Sequence, residues 1–413
     1  MRRTIATVSA ASVAMLVIAA FLTGGARAAT PNAPAATAAL RYLYGGQKAD
    51  GSVDGSAGET EDSIIGAADN GYDPATLKTS GGVTAYSYLE SLITGAKVTT
   101  AGGAAKLILA WVAAGKPAAL DGAALVTKLN TAASGGFLQP NGSWLTRKTF
   151  GNGFTQALGI LADVAAGAAL PPHATGWLLC AQQADGGFID QIDPSGSAPP
   201  ASGTCGTQSS DTNDTGIALQ ALHAAGLSSF ASALSYLQTA QQADGGFGYD
   251  VSSPSDPDSD AVVIEGLVAA GQDPAGSSWT KSGKNPLTNL ATFETPAGSG
   301  KYAFSAGFTP DTFTTSATPA ALALDPYGAK VAFTAGLSPF AAPATPTPSA
   351  TATATAPATS TPGGGASGAI SAPKTGGGAF EPGDAGIAIA VVSAGTLAIG
   401  ASAAWRRCRG RRR

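Results

Sequence analysis

The chain has 413 residues, of which 44% are apolar and 12% are charged. It can therefore bury a sizeable core, but its length exceeds that of a typical single folded unit. Residues 29–375 carry 14 basic and 25 acidic side chains, a net charge of −11, which argues against binding nucleic acid or anionic lipid headgroups.

The N-terminus has the pattern of a secretory signal peptide. Two arginines precede an apolar run at 10–22, and small residues surround Ala28. This run is shorter than the ~20 apolar residues that span a membrane, and a cleavable small-residue site follows it. We therefore predict that residues 1–28 are removed between Ala28 and Ala29 and that the mature chain is exported.

The C-terminal part has the pattern of a spacer followed by a membrane anchor. Residues 341–372 are almost wholly Ala, Thr, Pro, Ser and Gly, a composition that buries too little apolar surface to fold. The largely apolar run at 385–404 is long enough to span a bilayer as a transmembrane helix, and the arginine-rich tail after it is expected on the cytoplasmic side. The folded part is therefore expected outside the membrane.

A short motif lies between the spacer and the apolar run. Pro373-Lys374-Thr375-Gly376 resembles the sorting signal that a sortase recognises on surface proteins of Gram-positive bacteria. The resemblance implies that residues 373–413 are a sorting signal, cut between Thr375 and Gly376, and that Thr375 is joined to peptidoglycan. Ala372 stands where that family generally has Leu. An uncleaved single-pass membrane anchor is the alternative.

Residues 29–340 contain repeated helical patterns. Alanine-rich stretches end in a glycine, and glycine just past a helix accepts the left-handed conformation that closes it. These glycines are Gly71, Gly115, Gly167, Gly226 and Gly271, with Gly328 as a sixth. Earlier, more amphipathic helices are predicted at 38–47, 84–93, 122–132, 174–183, 230–242 and 286–293. The repeats are six helical hairpins, near 38–71, 83–115, 121–167, 174–226, 230–271 and 285–328.

The second helix of each hairpin is the more apolar one. The stretch GAAKLILAWVAAG at 103–115 is apolar nearly all round, as expected of a helix buried on several sides. The predicted fold class is therefore all-α. Six inner helices walled by six outer helices would close as an α/α (α6/α6) toroid, and an open superhelix of hairpins is the alternative.

A repeated motif carries a family resemblance. AQQADGGF occurs at Ala181–Phe188 and again at Ala240–Phe247, each time followed by an acidic turn and an Ala- and Leu- or Val-rich helix. This pattern is similar to the repeat of protein prenyltransferase β subunits and squalene-type terpenoid cyclases. The resemblance covers about residues 35–330 and implies an α/α toroid with a central cavity.

The catalytic acid of the cyclases is only partly represented. They carry an Asp-x-Asp-Asp-Thr segment whose middle Asp protonates the substrate. In the matching segment at 211–215, Asn213 occupies the position of this middle Asp. In the fifth hairpin Ser259 occupies that position. The first hairpin has carboxylates, so Glu61 and Asp62 are the candidate catalytic pair. Capping of helix N-termini is the alternative role of these polar residues.

Candidate metal ligands are few. The resembled prenyltransferases hold zinc with Asp, Cys and His, but His173 and His223 lack a cysteine at ligand spacing, so we predict neither zinc nor another cofactor. Asp256, Asp258 and Asp260 alternate as in some calcium loops, without the usual Gly and closing Glu. They are candidate calcium ligands, and a solvated turn is the alternative.

Two cysteines remain in the exported part, because Cys408 lies in the predicted cytoplasmic tail. We predict a disulfide between Cys180 and Cys205. The segment Cys205–Gln208 also resembles the Cys-Gly-x-Gln of internal thioester domains, with Thr207 where Glu is usual. A surface thioester is therefore the alternative.

The AQQADGGF motif is interpreted as a clamp between neighbouring hairpins. We expect Gln183 and Gln242 to bond free N–H groups of an adjacent helix start. We also expect Phe188 and Phe247 to pack against the glycine turn.

Three classes of function remain open. The missing acid and zinc ligands and the aromatic content of 7% favour a surface-anchored, non-catalytic domain that binds a small ligand in its cavity or a partner on its rim. An exported cyclase-like or prenyltransferase-like enzyme and a thioester adhesin are the alternatives. Sortase, peptidoglycan and the membrane are the partners expected of the C-terminal signal.

Overall fold

The computed structural model describes residues 33–145, 152–327 and 333–340. These residues belong to one compact unit, Met1–Ala342. The predicted signal peptide, spacer, sorting signal and apolar run at 385–404 lie outside the described residues. Among the helices that are described, none combines the length and the apolar character needed to cross a membrane.

The described part of the chain is helical and has isolated β-bridges but no strands, which confirms the all-α prediction. The first helices of the hairpins are α1 (Ala33–Gly45), α3 (Ala85–Thr94), α5 (Gly122–Leu129), α7 (Ala174–Leu179), α9 (Ala231–Ala240) and α11 (Pro286–Thr292). The second helices are α2 (Ala57–Asp69), α4 (Ala101–Ala113), α6 (Asn152–Ala166), α8 (Thr212–Ala224), α10 (Pro257–Ala269) and, in the last hairpin, α12 (Thr312–Ser316) with α13 (Thr318–Ala323).

Glycine follows the second helices of the first five hairpins, and each has a positive φ. These are Gly71 (78°), Gly115 (78°), Gly167 (79°), Gly226 (86°) and Gly271 (73°). The last hairpin differs from the prediction, because α13 is capped by Leu324 with a φ of 56°. Pro326 follows two residues later, and a proline disfavours helical backbone in the residue before it. Gly328 lies outside the described residues.

The first and second helices differ in burial. In α8 every residue from Asp214 to Leu222 is buried, whereas α9 buries only Ala233, Tyr236, Leu237 and Ala240. The second helices therefore form the interior layer and the first helices cover it, as their sequence patterns predict.

Each second helix packs against the second helices of its neighbours. The contacts run in order through α2, α4, α6, α8, α10 and α13, and α13 also contacts α1 and α2. Close approach of α8 and α10 depends on glycine, because a Cβ on Gly266 would lie 2.6 Å from the carbonyl oxygen of Gly216. A larger residue there would push the two backbones apart.

Residues 333–340, which we name the C-terminal strap, return to the first hairpin. The Thr334 N–H donates to the Gly71 carbonyl at 3.0 Å, and the Asp73 N–H donates to the Leu337 carbonyl at 2.8 Å. The last described segment of the chain is therefore bonded to the turn that follows α2.

Candidate functional site

The start of the second helix is held by the preceding loop in four hairpins. In the fourth hairpin the Phe188 N–H donates to Thr215 Oγ1 at 2.9 Å, and the N–H of Asp211, the N-cap of α8, donates to the Phe188 carbonyl at 3.0 Å. We name this pair of bonds the helix-start clamp. Equivalent clamps join Val53 to Ser56 and Thr60, Phe247 to Asp256 and Asp260, and Tyr302 to Asp311 and Thr315.

The clamp satisfies both backbone groups of one buried loop residue. Phe188 is 1% exposed and Phe247 is fully buried, so neither residue can bond its backbone groups to water. The acceptor is always the fourth residue after the N-cap. In the third hairpin Gln156 serves this role, since its side-chain oxygen accepts the Trp144 N–H at 3.2 Å.

The glutamines of AQQADGGF act differently from the expectation. The side-chain amides of Gln183 and Gln242 donate to the carbonyl oxygens of Ala181 and Ala240 and do not accept from helix N–H groups. The N-cap side chains already bond those N–H groups. Gln241 makes the contact between hairpins, because its Nε2 donates to the Trp279 carbonyl at 2.8 Å.

The predicted disulfide is present. Cys180 and Cys205 are bonded, with their Cα atoms 5.3 Å apart, and the bond ties the end of α7 to the long loop before α8. The helix α7 ends at Leu179 and not near Gln183, where the sequence pattern predicts its end. The thioester alternative is wrong, because the Cys205 sulfur is already bonded to Cys180.

The candidate catalytic pair lies inside α2, which Ser56 caps. Glu61 is 3% exposed and Asp62 is 8% exposed. Lys106 of α4 forms an ion pair with Asp62 at 2.7 Å, and the Tyr327 hydroxyl donates to Asp62 Oδ1 at 2.6 Å. The Asp62 carboxylate is therefore held by groups from two other parts of the chain.

A wider polar network surrounds this ion pair, and we define it as Asp62, Lys106, Gln220, Glu265 and Tyr327. Gln220 of α8 accepts the Tyr327 backbone N–H at 2.8 Å. Glu265 of α10 is 1% exposed, and its Oε2 has no hydrogen-bond partner. Burial, followed by the negative charge of Asp62, raises the pKa of Glu265 well above its ordinary value.

A second pair of buried carboxyl groups lies in the segment that resembles the cyclase acid motif. Asp211 and Asp214 are 3% and 5% exposed. Burial raises the pKa of Asp211 to about 7, and burial together with the charge of Asp211 raises the pKa of Asp214 well above its ordinary value. Asp211 accepts the Asp214 N–H at 2.7 Å as a helix cap.

Two of the three candidate calcium ligands, Asp256 and Asp260, bond separate parts of the backbone. Asp256 caps α10 by accepting the Ser259 N–H at 2.8 Å, and Asp260 accepts the Phe247 N–H at 2.7 Å. Across 33–145, 152–327 and 333–340, no three Asp, Glu, His or Cys side chains are grouped to hold a metal ion. Asp256, Asp258 and Asp260 therefore do not converge as calcium ligands.

Two surface clefts lie at connecting loops. The larger has a volume of about 390 Å³ and is lined by Gln139, Pro140, Asn141, Leu145 and residues 194–197. Its two loops are joined by Asn141, whose Nδ2 donates to the carbonyls of Pro194 and Gly196 at 3.0 and 3.1 Å. The smaller, of about 300 Å³, lies beside the ends of α10 and α13.

Comparison with known proteins gives no assignment: no family model matches the chain, and no curated protein matches it significantly.

Replacing Thr215 with valine removes the side-chain acceptor of the fourth clamp. The Phe188 N–H is then buried without a partner, which costs about 1–3 kcal/mol. We expect Thr215→Val to lower the free energy of unfolding by that amount in urea titrations. Thr239→Val, on the exposed face of α9, is the matched control with an effect below about 0.5 kcal/mol. Equal effects of the two substitutions would show that the clamp is dispensable.

Because Asp163 of α6 is buried, we predict that the free energy of unfolding depends on pH. It is fully buried, and burial raises its pKa to about 6 from 3.8. Between these values the folded chain holds a proton that the unfolded chain has released, so stability falls as the pH rises from about 4 to about 6. Asp163→Asn keeps an acceptor for the Asn130 amide. We expect it to stabilise the protein by up to about 3 kcal/mol at pH 7 and by little at pH 4, measured by urea unfolding. The same gain at both pH values would contradict this assignment.

Proposed function

We propose that the chain is a non-catalytic binding protein, displayed on a Gram-positive cell surface, whose six hairpins close as an α/α toroid. Contacts between the two ends of the helical region support the closure. The helix α13 contacts α1 and α2 of the first hairpin, and the C-terminal strap is bonded to the turn after α2. An open superhelix would leave its first and last hairpins apart.

One observation supports the non-catalytic part of the proposal. Acidic side chains on and at the start of the second helices are already bonded to other groups of the protein. A cyclase acid must reach its substrate with a proton to give. Asp62 is instead held by Lys106 and Tyr327, and Asp211 caps α8. These contacts account for the carboxylates as structural groups.

The loops between first and second helices supply the proposed binding surface. The cleft of about 390 Å³ has the size of a small-ligand site. Gln139, Ser195 and Ser197 contribute neutral amide and hydroxyl groups to its lining, and Pro140 and Pro194 contribute apolar faces. This chemistry suits a neutral, polar ligand.

The enzymatic alternative is tested with the substrates of the resembled families. We expect no product when the secreted protein is incubated with squalene, or with farnesyl diphosphate and Mg²⁺, and analysed by gas chromatography and mass spectrometry. Product that disappears in Glu61→Gln but persists in Glu90→Gln, on the first helix α3, would overturn the non-catalytic proposal.

Surface display is tested by fractionating cells. In a Gram-positive host with a sortase, we expect the full chain in the wall fraction that lysozyme releases. Thr375→Ala removes the residue whose carbonyl would be transferred, so this variant is expected in the membrane fraction. Wild-type protein found only in the membrane fraction would instead support the uncleaved anchor.

A further inference from the structure

Tyr327 is bonded to two second helices that are not neighbours. Its hydroxyl donates to Asp62 Oδ1 of α2 at 2.6 Å, and its backbone N–H donates to Gln220 Oε1 of α8 at 2.8 Å. Contacts between the second helices run in order from α2 through α4 and α6 to α8, so α2 and α8 are three places apart. Asp62 is 8% exposed and Gln220 is 1% exposed. The space that Tyr327 fills between α2 and α8 is therefore an interior one.

The hydrogen-bond acceptor in this space is charged and fixed in orientation. Lys106 of α4 lies 2.7 Å from each oxygen of the Asp62 carboxylate, so the carboxylate cannot turn away from the Tyr327 hydroxyl. Hydrogen bonds from a hydroxyl to a carboxylate are about twice as strong as those between neutral groups. The Tyr327 ring packs against the main hydrophobic core. The space therefore suits an aromatic ring that carries a hydroxyl group.

The C-terminal strap holds the chain on the far side of Tyr327. The Gly336 N–H donates to Asp73 Oδ2 at 2.8 Å, and Arg41 Nε donates to the Pro339 carbonyl. Six peptide steps separate Tyr327 from Phe333 and span at most ~21 Å. Detaching the strap therefore releases one end of the short chain segment that carries Tyr327.

We propose that the space between α2 and α8 is a binding site for small molecules with an aromatic hydroxyl group, and that Tyr327, held by the strap, closes it as an internal ligand. The site shares no lining residue with the loop cleft around Asn141, so it goes beyond the proposed function. An external phenol binds only in chains from which the Tyr327 side chain has withdrawn. Its apparent dissociation constant is the intrinsic value divided by the fraction of such chains.

Phenol binding to the full-length secreted protein tests the site. Tyr327→Ala removes the ring and hydroxyl that phenol would replace, whereas Tyr327→Phe keeps a ring in place. By NMR titration, we expect one phenol per Tyr327→Ala chain, bound at least ~10-fold more tightly than by wild type or Tyr327→Phe. Benzene is expected to bind Tyr327→Ala at least ~10-fold more weakly than phenol, because it gives Asp62 no hydroxyl donor.

Two results would refute the site. One is a folded Tyr327→Ala variant that binds phenol no more tightly than wild type does, and the other is equal binding of phenol and benzene. If Tyr327→Ala is unfolded alone, circular dichroism is measured with each compound, because a ligand of the folded state favours folding. Refolding by phenol and not by benzene supports the site, whereas refolding by both or by neither refutes it.

Asp73→Ala and Asp273→Ala test the part played by the strap. In the turns after α2 and α10, each aspartate accepts the N–H of the second residue after it at 2.9 Å, and Asp73 also accepts from the strap. We expect Asp73→Ala to bind phenol at least ~3-fold more tightly than wild type and Asp273→Ala to match wild type. Equal binding by the two variants would refute the strap's part. Cell fractionation and product analysis test the proposed function separately, so a negative binding result leaves that proposal standing.

Discussion

The clamp between a buried loop residue and the start of the second helix is the interaction on which the hairpins depend. It pairs both backbone groups of a residue that has no access to water, and an unpaired buried N–H is destabilising. Only the end of the loop is constrained, so its length can vary. The loop from Val53 to Ser56 is short and the loop from Phe188 to Asp211 is long, yet both end in the same geometry. In the longer loop the disulfide at Cys205 adds a second constraint.

Burial of most residues of the second helices has a further consequence. Their charged side chains have no solvent to face, so they must pair with one another or take up protons. Lys106 pairs with Asp62, whereas burial raises the pKa of Glu265 well above its ordinary value. The same constraint removes these carboxylates from the surface on which a substrate would bind. The polar interior is therefore a property of the packing.

The hairpins and their ends could be predicted because their signals are local. Glycine after a helix and the apolar pattern of α4 act within one or two turns. The partner of Asp62 could not be predicted in this way, because Lys106 stands in an otherwise apolar stretch and meets Asp62 only through packing of α4 on α2. Val53 and Tyr302 were missed as clamp residues because their loops lack the DGGF letters. The shared signal is a Ser or Asp N-cap followed four residues later by Thr or Asp.

The position of the ion pair connects the packing to the proposed display on a cell wall. A wall-linked chain carries load through its C-terminus, and the C-terminal strap passes that load to the turn after α2. From α2 the side-chain contact to the second hairpin runs through Asp62 and Lys106. A non-covalent pair there can separate under load when water enters, since hydration stabilises the two charges apart.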